Sequence, residues 1–78
     1  MDSLVETARA KGPIPAGRFR VVVLESNLST SICDHETLAN ATKHADDAAS
    51  EADGDPPIAV VVDERFEIVH RGRPYWAT

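Results

Sequence analysis

The chain has 78 residues, a net charge of −5 at pH 7 and a single cysteine, Cys33. A domain of this size buries only roughly 60% of the surface that its unfolded chain exposes, so one domain with a thin core is expected. The single cysteine excludes an internal disulfide framework. The acidic balance argues against duplex nucleic acid as a partner, because clustered Lys and Arg supply most of the affinity for phosphates.

No segment approaches the roughly 20 apolar residues of a membrane span, and residues 1–17 lack the apolar core of a signal peptide. A lone thiol also suits a reducing compartment. We therefore expect a cytoplasmic protein of bacterial or phage type that makes no contact with a membrane.

The first 17 residues are predicted to be a flexible N-terminal arm. Residues 3–10 are compatible with a short helix, which two glycines and two prolines between residues 12 and 17 would end. The remaining residues, 18–78, are predicted to fold as a single domain.

Two runs of three valines mark the centre of the predicted sheet. Val21–Val23 lies in a predicted strand at residues 19–25, and Val60–Val62 lies in one at residues 58–62. A strand with one face in water alternates apolar and polar residues, so an unbroken valine run indicates that both faces are at least partly covered. These two strands are therefore predicted to be the central pair.

One helix is predicted between the valine runs. Asp34 is the favoured N-cap, with Thr37 as its competitor, and Gly54 followed by two prolines ends the helix. The apolar positions between these ends follow helical spacing: Leu38, Ala41, Ala45, Ala48 and Ala52. Because most of them are alanine, this helix can approach the sheet closely.

The predicted fold is of the α+β class: a single β-β-α-β-β domain with a four-stranded antiparallel sheet and one helix packed on one face. Residues 28–33 and 66–71 alternate apolar and polar side chains, as edge strands do. The favoured strand order is 2-1-3-4. The alternative order 1-2-3-4 would place the strand with Ser29 and Ser31 at the centre of the sheet.

The sheet face away from the helix is predicted to be open, because one helix covers only one face. Strand alternation assigns to that face an apolar stripe made of Val22, Leu24, Val61 and Val69. Such a stripe is a liability for a soluble monomer, and a two-fold dimer with its sheets face to face would bury it. We therefore expect a homodimer.

Acidic residues concentrate in the second half of the chain, where residues 34–67 carry ten acidic and two basic side chains. Charge complementarity predicts a basic protein as partner. The predicted partner surface consists of Asp46, Asp47, Glu51, Tyr75 and Trp76. The sequence thus favours a small acidic, non-enzymatic interaction domain. A phage-type inhibitor or nucleic-acid mimic acting through the acidic helix is one alternative, and stacking of single-stranded RNA on the two aromatic residues is another.

A third alternative is a thiol-based enzyme or sensor centred on Cys33 and His35. A thiol before a helix N-terminus can be activated, and an adjacent imidazole can act as its base. However, no glycine-rich turn is present to form an oxyanion hole. The favoured interpretation is a small residue at the end of a strand followed by a helix cap, without catalytic residues.

No metal or other cofactor is expected. His35 and His44 are nine residues apart, which on a helix with roughly 100° per residue is half a turn out of phase. They are therefore predicted to face opposite ways. The ligand spacings H-x3-H, H-E-x2-H and C-x2-C are also absent, so the one remaining alternative is a site built by the symmetry of a dimer.

Overall fold

The computed structural model describes residues 3–24, 29–50 and 58–73. The elements in chain order are α1 (Ser3–Ala10), β1 (Phe19–Leu24), β2 (Thr30–His35), α2 (Leu38–Ser50), β3 (Ile58–Val62) and β4 (Ile68–Arg71). All neighbouring strands are antiparallel, and the sheet has the order β2-β1-β3-β4. The predicted α+β class and strand order are therefore confirmed.

The two valine strands occupy the centre of the sheet. Val21 pairs with Val61 and Val22 with Val60, and all four side chains are fully buried. Because successive residues of a strand point to opposite faces, each strand contributes valines to two separate apolar layers. Both faces of the sheet are therefore covered.

Helix α2 covers one of these faces. Ala41 and Ala45 pack against Val21, Val23 and Val61 with no exposed surface of their own. Alanine side chains let the helix backbone approach the strands closely.

The N-terminus of α2 is capped by Thr37, whose Oγ1 accepts a hydrogen bond of 3.1 Å from the backbone N–H of Asn40. Asp34, the favoured N-cap of the sequence analysis, lies instead within β2.

Helix α1 covers the second face. Leu4, Ala8 and Ile14 are buried against Val22 and Val60 in one apolar cluster. Part of the segment predicted as an arm outside the domain therefore belongs to the core. The short helix suggested for residues 3–10 is present with the same bounds, but its docking on the sheet was not predicted, because a helix of eight residues gains most of its stability from tertiary packing.

The predicted open stripe was wrong as a set of residues. Val22 lies on the α1 face, whereas Val61 lies on the α2 face, and both are fully buried within one chain. Leu24 packs partly against the α1 cluster. Val69 is 42% exposed and lies at an irregularity in the pairing of β3 with β4. Val62 pairs with Ile68, whereas Val61 pairs with His70, so the register shifts by one residue between the two pairs.

This irregularity also separates two side chains of β4 that simple alternation assigns to one face. Ile68 packs in the α1 cluster, whereas His70 is paired with Val61 of the α2 face. One extra residue in a strand reverses the alternation beyond it. Across the residues that the structure describes, neither helix has the length and apolar character needed to cross a bilayer.

Candidate metal centre

Strand β2 carries two chemically active side chains on the side of the sheet that α2 covers. Cys33 pairs with Val21 and His35 pairs with Phe19, and both partners belong to the α2 face. Residues two apart on a strand share a face, so the thiol and the imidazole point the same way. Asp34 lies between them and points to the opposite face.

Helix α2 brings a third such group to the same place. His44 directly precedes the buried Ala45, and its Nδ1 lies 2.8 Å from Nε2 of His35. The two rings meet edge to face, with centroids 5.0 Å apart and an interplanar angle of 80°. One nitrogen donates and the other accepts in this contact, in the order that the tautomers set.

The thiol completes a compact cluster of three potential metal ligands. The ligand atoms of Cys33, His35 and His44 all lie within 4.8 Å of one another. Around a tetrahedral Zn²⁺, with Zn–N near 2.0–2.1 Å and Zn–S near 2.3 Å, ligand atoms are about 3.3–3.7 Å apart. The two nitrogens, 2.8 Å apart, would therefore separate by about half an ångström, and the ring that donates in their contact would take its other tautomer so that both nitrogens present a lone pair.

The donor set limits which metals fit. A thiolate and two imidazoles are the ligands of Zn²⁺ and of neighbouring transition metals such as Co²⁺ and copper. Ca²⁺ and Mg²⁺ require oxygen ligands instead. The cluster therefore has the composition of a transition-metal site.

A buried arginine fixes the backbone of β2 between the two ligands. Arg20, 3% exposed, donates from Nε to Oδ1 of Asp34 at 2.7 Å and from Nη2 to Oδ2 at 3.1 Å. Its Nη1 also donates to the carbonyl oxygens of Ala8 at 2.8 Å and Gly12 at 2.7 Å. This one side chain therefore links β1 to β2 and to the chain in and just after α1.

This arrangement changes the ionisation of the carboxylate. Hydrogen bonds from the Arg20 guanidinium, with its charge, hold the pKa of Asp34 below its ordinary value, although partial burial acts in the opposite direction. Asp34 therefore stays ionised at neutral pH and fixes the orientation of the strand that presents Cys33 and His35.

A second carboxylate ties α2 to β4. Oδ1 of Asp46 accepts a hydrogen bond of 3.0 Å from the backbone N–H of Arg73 and lies 2.9 Å from Nε2 of His70. Partial burial raises the pKa of Asp46, but the hydrogen bonds from His70 and Arg73 outweigh it, so the pKa lies below its ordinary value. This contact holds the helix that carries the third ligand.

The predicted partner surface is only partly described. Asp46 bonds within the fold, and Asp47 is a partly buried residue of α2. Glu51, Tyr75 and Trp76 lie outside the described residues. Binding of a basic protein by the acidic residues stays a prediction.

The cluster was missed in the sequence because His35 was assigned to the helix. The relation between His35 and His44 was then judged by helical phase, which does not apply across a strand and a helix. The signal that was present is the C-x-H spacing at residues 33–35, since a strand places such a pair on one face. That His44 faces the pair depends on how α2 packs across the sheet.

Comparisons with protein-family models, with curated proteins and with solved structures gave no match to this chain.

Proposed function

We propose that this domain binds a divalent transition-metal ion, with Zn²⁺ as the best fit, through Cys33, His35 and His44. The observation that carries the proposal is the convergence of one thiol and two imidazoles, from a strand and a helix, within 4.8 Å. In the part of the chain that the structure describes, no other group of three such ligands comes together.

The elements that carry the ligands support metal binding. The ligands stand on regular elements, β2 and α2, and each element is held by a buried or partly buried carboxylate contact. Ligands on such elements lose little conformational freedom when a metal ion binds. Metal binding also requires thiolate and neutral imidazole, so the affinity should fall at acidic pH.

Titration with Co²⁺ tests the proposal directly. Thiolate coordination produces an intense near-ultraviolet charge-transfer band, and tetrahedral geometry produces visible d–d bands. We expect both bands to saturate at one Co²⁺ per chain and to be displaced by Zn²⁺. His44→Ala should weaken Zn²⁺ binding by at least about tenfold, measured by competition with a chromogenic chelator.

A matched control moves the thiol without removing it. In the double variant Cys33→Ser with Ser31→Cys, the thiol stays on the same strand face but shifts by about 7 Å, two residues along β2. We expect the charge-transfer band to be lost. A band of unchanged strength in this variant, or a wild-type protein that shows no band, would contradict the proposal.

A reactive-thiol function is a second candidate, favoured by the exposure of Cys33 beside two imidazoles. Iodoacetamide labelling of the native protein across pH tests it, because an activated thiolate reacts well below the ordinary cysteine pKa of about 8.5. Labelling that occurs at low pH and is blocked by Zn²⁺ would show that both chemistries use the same sulfur.

A further inference from the structure

We infer that the metal ion keeps one coordination position for an exogenous small monoanion. The inference rests on the proposed function and adds what the site would bind besides the metal. Zn²⁺ sites with three protein ligands hold water or another exchangeable ligand in the fourth position, whereas purely structural sites are closed by four protein ligands.

The described residues supply three ligands and no fourth. The nearby carboxylates are engaged elsewhere: Asp34 binds Arg20 on the opposite face, and Glu36 lies 3.3 Å from Arg18 in an exposed ion pair. Asp46 is held by His70. None of them belongs to the cluster.

The cluster also borders solvent. Cys33 is exposed, and β2 is an outer strand of the sheet with a paired neighbour on one side only. A small solute can therefore reach a metal ion at the thiol without a change in the fold.

Charge selects an anion for this position. Zn²⁺ with one thiolate and two neutral imidazoles carries a net charge of about +1, which a monoanion neutralises. The carboxylates of Asp34 and Glu36 are each balanced by an arginine. Lys43 is an exposed residue of α2 next to His44, and the carboxylates within α2 are Asp46, which is paired with His70, and Asp47, one turn after Lys43. The predicted ligands are small monoanions with good donors for zinc, such as azide, cyanide and low-molecular-weight thiolates.

The test uses the full chain loaded with Co²⁺ and azide as the probe. We expect azide to shift the d–d bands in a saturable manner with one azide per cobalt, while the thiolate charge-transfer band persists. The matched control is Asp47→Ala, because Asp47 is the carboxylate on α2 three residues after His44. Removing this negative charge should change the azide affinity by no more than a few-fold.

The outcomes separate the inference from the proposed function. A wild-type protein that ignores azide, together with an Asp47→Ala variant that binds it, would show that Asp47 fills the position and would overturn the inference. If neither protein responds to azide and both have a doubled mass in the presence of Co²⁺, a second copy of the chain fills the fourth position. That result would also overturn the inference. Absence of the charge-transfer band would reject the metal site itself.

Discussion

Arg20 links β1 to β2 and to the N-terminal part of the chain. It is 3% exposed and its donors reach a carboxylate and backbone carbonyls of the α1 segment. A buried guanidinium is tolerated only when its charge and its N–H groups are satisfied. Asp34 supplies the charge, so the stability of the domain should depend strongly on this one carboxylate.

We therefore expect Asp34→Asn to lower the free energy of unfolding by about 2–4 kcal/mol at pH 7, because a buried cation loses its counter-charge. The pKa of Asp34 is lowered in the folded state, so its contribution is present above the ordinary carboxylate pKa of about 3.9 and is lost as the pH falls through the lowered value. Urea denaturation between pH 7 and pH 2.5 should show the gap between wild type and variant narrowing in acid.

Glu36→Gln is the matched control for this experiment. Glu36 also pairs with an arginine, but the pair with Arg18 is exposed, with side chains that are 44% and 76% accessible. Exposed pairs contribute about 0–1 kcal/mol, so this variant should be nearly neutral. Equal effects of the two variants, or a gap at Asp34 that is independent of pH, would contradict the role assigned to the buried arginine.

Gly72 directly follows β4 and lies close against the backbone of α2. A Cβ built at this residue would lie 2.6 Å from the carbonyl oxygen of Ala45 and 3.0 Å from Cβ of Ala59. The neighbouring atoms belong to a helix backbone and a central strand, which cannot move aside easily. We expect Gly72→Ala to lower the free energy of unfolding by about 1–3 kcal/mol, measured by urea denaturation. An unchanged midpoint would show that the end of β4 can retreat from the helix.

At the scale of the elements, α1 decides how the second face of the sheet is covered. Leu4 is 5% exposed and packs with Ala8 against the valines of β1 and β3. We expect Leu4→Ala to lower the free energy of unfolding by about 2–4 kcal/mol, through lost burial and the cavity left behind. Thermal denaturation followed by circular dichroism measures it, since each kcal/mol shifts the midpoint of a domain of this size by about 4–8 °C.

Glu6→Ala serves as the control on the same helix, because Glu6 is exposed. Alanine has the higher helix propensity, but the variant loses a carboxylate in the first turn of α1, so its stability should stay within about 1 kcal/mol of wild type. If Leu4→Ala were as stable as Glu6→Ala, α1 would not be a part of the cooperative fold.

The elements differ in how far the sequence could predict them. The valine runs and the alanine spacing of α2 led to the correct class and strand order, because each pattern reports burial of a whole element. The short helix over residues 3–10 was suggested by the chain, but its packing on the second face of the sheet and the pairing shift at Val69 were not predictable in this way. They depend on tertiary packing and on a single extra residue, neither of which changes the local pattern.

The same limit applies to the candidate site. The joint orientation of Cys33 and His35 follows from strand alternation once β2 is extended to its end at His35. The position of His44 beside them cannot be predicted from strand alternation, because it depends on the angle and register at which α2 crosses the sheet. A site assembled from a strand and the helix that follows it leaves only fragments of its ligand pattern in the chain, because the two elements have different periodicities.

At the scale of the whole molecule, coverage of both sheet faces bears on the oligomeric state. A dimer was expected because a fully apolar face needed a second copy, yet Val22 is buried within one chain by α1. Because α1 already covers this face, no second copy is needed to bury it. We therefore expect light scattering at micromolar concentration to give the mass of a monomer in low and high salt. Val22→Asp should then unfold the chain rather than separate subunits, since it places a charge in the core.

The same measurement with one equivalent of Zn²⁺ shows whether the metal ion joins two chains. A fourth ligand that is a small anion or water leaves the chains separate, so the mass should not change and should not depend on protein concentration. A dimer that forms only with Zn²⁺ and is lost in Cys33→Ser would mean that the open position joins two copies. A dimer that forms without metal and resists salt would mean that another surface, such as the region around Ile58 or Val69, drives association.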